Sequence, residues 1–298
     1  MHAQLPAPGE VFLDHVAWFV AEMAAAERAL QAMGFTLTPF TRQMNQTQAG
    51  PVPAGMANRL AMLPTGYMEF LTAVADSPLA RQFHTQLERY AGLHLLAFTV
   101  ADAAAEVRRL RRQGFPAQEP VALRRPVSLG ASGTAEAAFT VVRVPPEAMP
   151  EGRIQLLTHH TPEVVWQSRW IRHPNAVQSL EAVLLAVAEP VTAAERFVRF
   201  LDRPAVALGD GRWMQRLDRG MLVFAPRAWV EAEVAPLPSG VAPPVIAAVA
   251  LGSADLAVTS VTLAAAGAEA WPGAYALPSA LGGAVTLTAP GDAPAWAR

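Results

Sequence analysis

A segment recurs four times along this 298-residue chain, and the first two copies carry a histidine where the last two carry alanine. Copy one is LDHVAWFVAEMAAAERALQAMGF at 13–35, and copy two is GLHLLAFTVADAAAEVRRLRRQGF at 92–115. Copy three opens SLEAVLLAVAEP at 179, and copy four opens VIAAVALGSADL at 245. Each begins as an apolar run of strand length, crosses a short polar junction, continues as an Ala-rich helical stretch and usually ends in Gly. Four copies at this long period are not a solenoid. The chain must fold as four versions of one small unit packed together. His15 and His94 stand near the start of their copies, against Ala182 and Ala247. That contrast implies one active half and one scaffolding half.

Between the copies the sequence reads as strands. RLAMLP (59–64) and YMEFLTAV (67–74) flank a Thr-Gly turn, while AAFTVVRV (137–144) and RIQLLTHH (153–160) bracket a proline-rich loop. MLVFAP (221–226) and GAVTLTAP (283–290) follow the third and fourth copies. The common unit is strand, helix, then two or three antiparallel strands, an α+β class. Residues 116–136 read as a long loop. Residues 161–178 join the halves, with Trp166 and Trp170 spaced for a helix packed across the junction. The expected domains are 10–160 and 179–290.

Side chains alternate faces along a strand, so one face can be read off each run. Leu13, His15, Ala17 and Phe19 share a face, as do Tyr67, Glu69 and Leu71. His94, Leu96 and Phe98 share another, and so do Arg153, Gln155, Leu157 and His159. Each of these apolar strands thus carries a metal-competent side chain near its middle: His15, Glu69, His94 and Gln155. Two imidazoles and a carboxylate are the usual set for a divalent ion with open positions, here Zn, Ni, Co, Mn or Fe. Aligning the repeats puts Ala182, Val223, Ala247 and Thr286 at the same four positions of the second half. All four are non-ligands together, as expected if a single site were emptied.

Paired β-α-β-β-β modules of this kind, with the opening LDHVAWFV, the YMEF strand and the NRL of GMANRLAML, resemble the glyoxalase-like branch of the vicinal oxygen chelate superfamily. The resemblance covers roughly residues 10–160 directly and the rest by internal repetition. It implies four modules paired into two half-open eight-stranded barrels, and metal ligands on the first and last strands of each module: His15, Glu69, His94 and Gln155. Relatives usually present Glu on the last strand, where it serves as base. Gln155 stands there in this chain, and an amide cannot accept a substrate proton.

The expected chemistry is a metal-dependent lyase or isomerase acting on a small substrate with neighbouring oxygens through a stabilised enolate. A base is supplied by Glu69, by metal-bound hydroxide or by His159. With Fe(II) the same set points instead to a ring-cleaving dioxygenase. Without metal it points to a binding protein of the resistance type. Phe19, Tyr67 and Phe98 would wall the substrate, with Asn58, Arg59 and Arg124 touching its polar atoms. Arg124 and Arg125 together suit an anion. His159 and His160 otherwise end a strand before a helix opening at Thr161-Pro162-Glu163. His173 reads as a turn residue and His84 as solvent-facing.

Composition removes several alternatives. There is no cysteine, so thiolate chemistry and disulfides are excluded. A net charge of −2 gives no basic footprint for nucleic acid. Hydrophobic residues reach 52%, yet no apolar run approaches the roughly 20 residues of a membrane span. The opening MHAQLPAPGE lacks the basic and apolar regions of a signal peptide, so the expected compartment is the cytoplasm. The expected partner is a small-molecule substrate. The second half mimics a dimer within one chain, and a further homodimer stays open.

Overall fold

The structure is a computed structural model that describes residues 4–47 and 50–298, with side chains at 45–47 and 51 left aside. The four repeats become four β-α-β-β-β modules. Module one contains β1 (Val11–Phe19), α1 (Met23–Ala32), β2 (Thr41–Thr47), β3 (Gly50–Met62) and β4 (Tyr67–Ala73). Helix α2 (Pro78–Arg89) leads to module two: β5 (Gly92–Val100), α3 (Ala103–Arg112), β6 (Val121–Ser128), β7 (Thr134–Arg143) and β8 (Arg153–His159). One helical turn, α4 (Pro162–Val165), leads to β9 (Val177–Val187), α5 (Pro190–Leu201), β10 (Ala205–Gly209), β11 (Arg212–Arg216) and β12 (Met221–Pro226). After α6 (Arg227–Glu233) come β13 (Val245–Ser253), α7 (Leu256–Ala265), β14 (Glu269–Ala270), β15 (Tyr275–Ala276) and β16 (Ala284–Thr288).

The polar junctions of copies two and four are side-chain helix caps. The Asp102 side chain accepts from the Ala105 amide at 3.1 Å, and Asp255 does the same for Val258 at 3.0 Å. The glycine closing copy one, Gly34, is left-handed at φ 77°, and a Cβ there would meet Asn175 at 3.0 Å.

β1 pairs antiparallel with β5 at the centre of the first half. Outward from it the order is β4-β3-β2 on one side and β8-β7-β6 on the other, which gives a sheet curled into an open trough. β9 and β13 repeat the arrangement, flanked by β12-β11-β10 and β16-β15-β14. The two troughs join through β5 and β13, where Ile246 lies opposite Leu93. Helices α1, α3 and α5 cover the backs of the sheets around Trp18, Phe98, Phe197 and Phe224. Among the described residues no helix is long and apolar enough to cross a membrane.

Two segments differ from their sequence reading. Residues 121–128, within the long loop, form β6, because alternate residues Val121, Leu123, Arg125 and Val127 turn inward against β7. The helix expected around Trp166 and Trp170 lasts one turn, opening at Pro162. Trp166 folds back onto Tyr67 and His159 within the first half, with ring centroids at 5.9 and 4.8 Å.

One irregularity decides what faces the first trough. The β1–β5 register slips at Asp14 on one strand and at His94 on the other. Each is the extra residue of a bulge, and a bulge reverses the alternation beyond it. Leu13 therefore joins the helix-side core while His15, Ala17 and Phe19 face inward. On β5, Leu96 and Phe98 face the helices, and Leu95 and Ala97 face the trough.

Candidate functional site

The register of β1 and β5 relates the modules residue by residue. His15 lies opposite Ala97 and Ala17 opposite Leu95, while Leu13 lies opposite Phe98 and Trp18 opposite Leu93. A twofold axis through this pair exchanges His15 with Leu95 and Asp14 with His94. The outer strands agree: Glu69 sits beside Ala17 on β4, and Gln155 sits beside Ala97 on β8. The four inward corners are thus His15, Glu69, Leu95 and Gln155. The second half carries Ala182, Val223, Ala248 and Thr286 there.

These corners line a cavity of about 340 Å³. Asn58, Tyr67 and Arg124 line it too, as do Gln43, Arg125, Phe139, Arg143 and Arg153. The second trough is filled instead. Val230 and Val234 of the α6 segment and Trp296 pack on its alanines, and the Trp296 indole donates to Thr286 Oγ1 at 2.7 Å.

His15 is held from behind. Its Nδ1 lies 2.7 Å from Asp14 Oδ2, and His159 Nε2 lies 2.8 Å from Asp14 Oδ1. Asp14 is fully buried. Burial works against its charge, but the charge of His159 and the hydrogen bonds from both imidazoles outweigh burial and hold the carboxyl well below the usual range. An ionised carboxylate only accepts, so His15 carries its proton on Nδ1 and turns Nε2 into the cavity. Nε2 lies 3.7 Å from Glu69 Oε2, and the ring stacks on Tyr67 with centroids 4.3 Å apart. Asn58 Nδ2 donates to the other Glu69 oxygen at 2.6 Å, and Gln43 Nε2 does so at 3.3 Å.

The opposite wall is cationic. β7 and β8 bring Arg143 and Arg153 side by side, with Arg143 directly across from Gln155. Burial, with the charge of Arg153 added, pulls Arg143 down to about 9. Burial also lowers Arg153, against the opposing pull of Glu69.

Several expected site residues lie elsewhere. His94 is the bulged residue of β5, and its Nε2–H donates to the Tyr90 carbonyl at 2.8 Å while the ring stacks on Tyr90. It lies off the cavity, and Leu95 holds the corner expected for it. Phe19 packs on Phe83 and His94, and Phe98 lies on the helix side of the sheet. Arg59 turns to α1, where it meets Glu27 at 3.0 Å. His159 stands behind His15, with no exposed side-chain surface, and meets Asp14 there.

The arrangement does not fit a tightly held divalent ion. One imidazole and one carboxylate converge, Gln155 adds a neutral oxygen, Leu95 adds nothing, and two guanidinium groups share the space. Among the described residues no three His, Cys, Asp or Glu side chains group as a metal site.

His94 carries a testable consequence. Burial lowers its pKa to about 4, helped by Arg89 and opposed by the Tyr90 carbonyl. The folded protein keeps His94 neutral while the unfolded chain protonates near pH 6.5. Its stabilising contribution is therefore present above about pH 6.5 and lost as pH falls toward 4, a loss of roughly 3 kcal/mol. Urea unfolding at pH 7 and pH 4.5 should show this loss in the wild type and much less of it in His94→Gln. Equal losses in both would assign the acid sensitivity elsewhere.

Two curled sheets of paired βαβββ modules, with four inward corners in one of them, define a protein of the vicinal oxygen chelate class. The chain belongs to the Glyoxalase-like domain family, whose profile matches residues 13–201. No curated protein matches its sequence. A hypothetical protein from Staphylococcus aureus superposes with a TM-score of 0.64 at 10% identity, over 94% of this chain and 99% of that one. A fusion of a xylose isomerase-like TIM barrel with 4-hydroxyphenylpyruvate dioxygenase gives 0.52 at 16% identity, over 90% of this chain and 40% of that one. Methylmalonyl-CoA epimerase from Mycobacterium tuberculosis gives 0.37 at 22% identity, over 53% of this chain and 93% of that one.

Proposed function

We propose that the first-half cavity is the active site of a lyase- or isomerase-type enzyme that moves a proton next to a carbonyl of a small oxygenated substrate. The observation that carries this reading is the Asp14–His15–Glu69 line. With Nδ1–H committed to Asp14, His15 Nε2 and Glu69 Oε2 present two lone pairs 3.7 Å apart. A single proton between them relieves that contact, so the pair is built to take one up and return it. The substrate C–H proton goes to His15 Nε2, and the electron pair it leaves behind moves onto the carbonyl oxygen as an enolate. Positive charge from the arginine wall faces that oxygen. Asp14 and His159 are positioning residues that fix the ring.

Incubating the protein in D₂O with small α-keto acids and hydroxyketones, and following loss of the C–H signal by NMR, tests this. Exchange should fall about 10²- to 10⁴-fold in His15→Phe and in Glu69→Gln. Exchange unchanged in both variants would remove the pair from the chemistry. Ligand binding with no exchange in any variant would favour a holding protein of the resistance type, for which the missing ligand at Leu95 already speaks.

A further inference from the structure

We propose that Arg143 and Arg153 form a clamp for the carboxylate of an organic monoanion, whose apolar part lies against Leu95, Val141 and Leu157. The inference deepens the reading above, and rests on it only in taking this cavity as the site of reaction.

Both guanidinium groups line the cavity and are largely withdrawn from solvent. Among the described residues neither closes an ion pair. The charge of Glu69 reaches Arg153 without coming into contact, and the residues left aside carry no carboxylate. Arg143 Nε and, directly across the strand pair, Gln155 Oε1 are buried without hydrogen-bond partners. Two like charges held side by side, with polar atoms unsatisfied, are unfavourable in the empty cavity. An anion in the fork of the two groups offsets the like charges and gives Arg143 Nε–H an acceptor, through the paired N–H···O geometry in which arginine takes carboxylates. Glu69 shares the same space and repels further negative charge, which favours a carboxylate over a phosphate dianion. Leu95, Val141 and Leu157 leave an apolar floor for the remainder of the molecule.

The arginine wall is also a physical reason why the first trough can lack a second imidazole. Fixed positive charge already stands where a cation would otherwise meet an anionic substrate.

The test uses the full chain with benzoate, its uncharged counterpart benzamide, and inorganic phosphate, read by thermal shift and calorimetry. Benzoate should raise Tm, with benzamide and phosphate much weaker. Arg143→Met and Arg153→Met should each weaken benzoate about ten- to a hundredfold. Without ligand, both variants should melt at or above the wild-type temperature, because an uncompensated charge has been removed. Benzamide or phosphate binding as tightly as benzoate would overturn the clamp. So would undiminished benzoate binding in the variants, or ligand-free variants that melt lower or fail to fold. Benzoate held by the arginines, with no proton exchange on any substrate, would overturn the proton-transfer reading and leave the clamp. Benzoate binding undiminished in both arginine variants, with proton exchange that still falls in His15→Phe, would do the reverse.

Discussion

Asp14→Ala should destabilise the protein by about 3–5 kcal/mol, among the largest effects of any single substitution in the chain. Asp14 is completely buried and is the acceptor for two imidazole N–H groups, on His15 and His159. Removing it strands both donors inside the first half and leaves a void behind β1. Its charge also offsets that of Arg219, which burial lowers and Asp14 raises. Asp14→Asn keeps the shape but sets an amide N–H against one imidazole N–H, so it should recover only part of the loss. Urea unfolding at neutral pH measures both variants. A loss below about 1 kcal/mol in Asp14→Ala would mean that the imidazoles find other acceptors. Proton exchange should fall in step, because His15 would no longer be held with Nε2 toward Glu69.

Leu95→His should tighten the protein's divalent-metal affinity by about a hundredfold or more. The twofold relating β1 to β5 exchanges Leu95 with His15, and both line the cavity. An imidazole at 95 would therefore face His15, Glu69 and Gln155 and complete a set of two histidines, a carboxylate and an amide oxygen. Arg153, beside Leu95 in the β5–β8 register, opposes the ion by charge. Adding Arg153→Met should strengthen the gain. Cobalt retained through gel filtration, with its visible absorption, reports the outcome. Equal cobalt content in wild type and variant would show that position 95 does not complete the site. Removing the neighbouring imidazole with His94→Ala should leave the variant's cobalt content unchanged, since His94 is turned onto the Tyr90 carbonyl.

That contrast shows where reading from sequence stops. Glu69 and Gln155 occupy the positions expected from their strands, because β4 and β8 run regularly beside β1 and β5. His94 does not, because one extra residue in β5 moves it out of the alternation that the text GLHLLAF presents. A bulge leaves no mark in a period-two pattern. It is forced by the pairing of β5 with β1, which no local stretch of sequence contains. Arg143 and Arg153 are not legible as a pair for a related reason. Each is a common surface residue in an apolar strand, and only the β7–β8 register shows two of them sharing one buried wall. A polar residue repeated on one parity of an apolar strand is the signal the sequence offers, and Arg153, two before Gln155 on β8, meets it. The single Asp before His15 was likewise legible as a residue, but not as the buried centre of two imidazoles.

The sequence by itself determined the fourfold repeat, the βαβββ unit, the division into a polar-cornered half and an emptied half, and the family to which they belong. Local periodicity, caps and turn glycines are properties of short windows, and the periodicity recurs in each copy. Tertiary structure alone decided which corner each polar side chain occupies. It turned Leu95 inward and His94 away, set Asp14 between His15 and His159, filled the second trough with α6 and Trp296, and gathered the arginines. Each of those outcomes depends on registers between strands far apart in the chain, where a shift of one residue exchanges the buried face for the other.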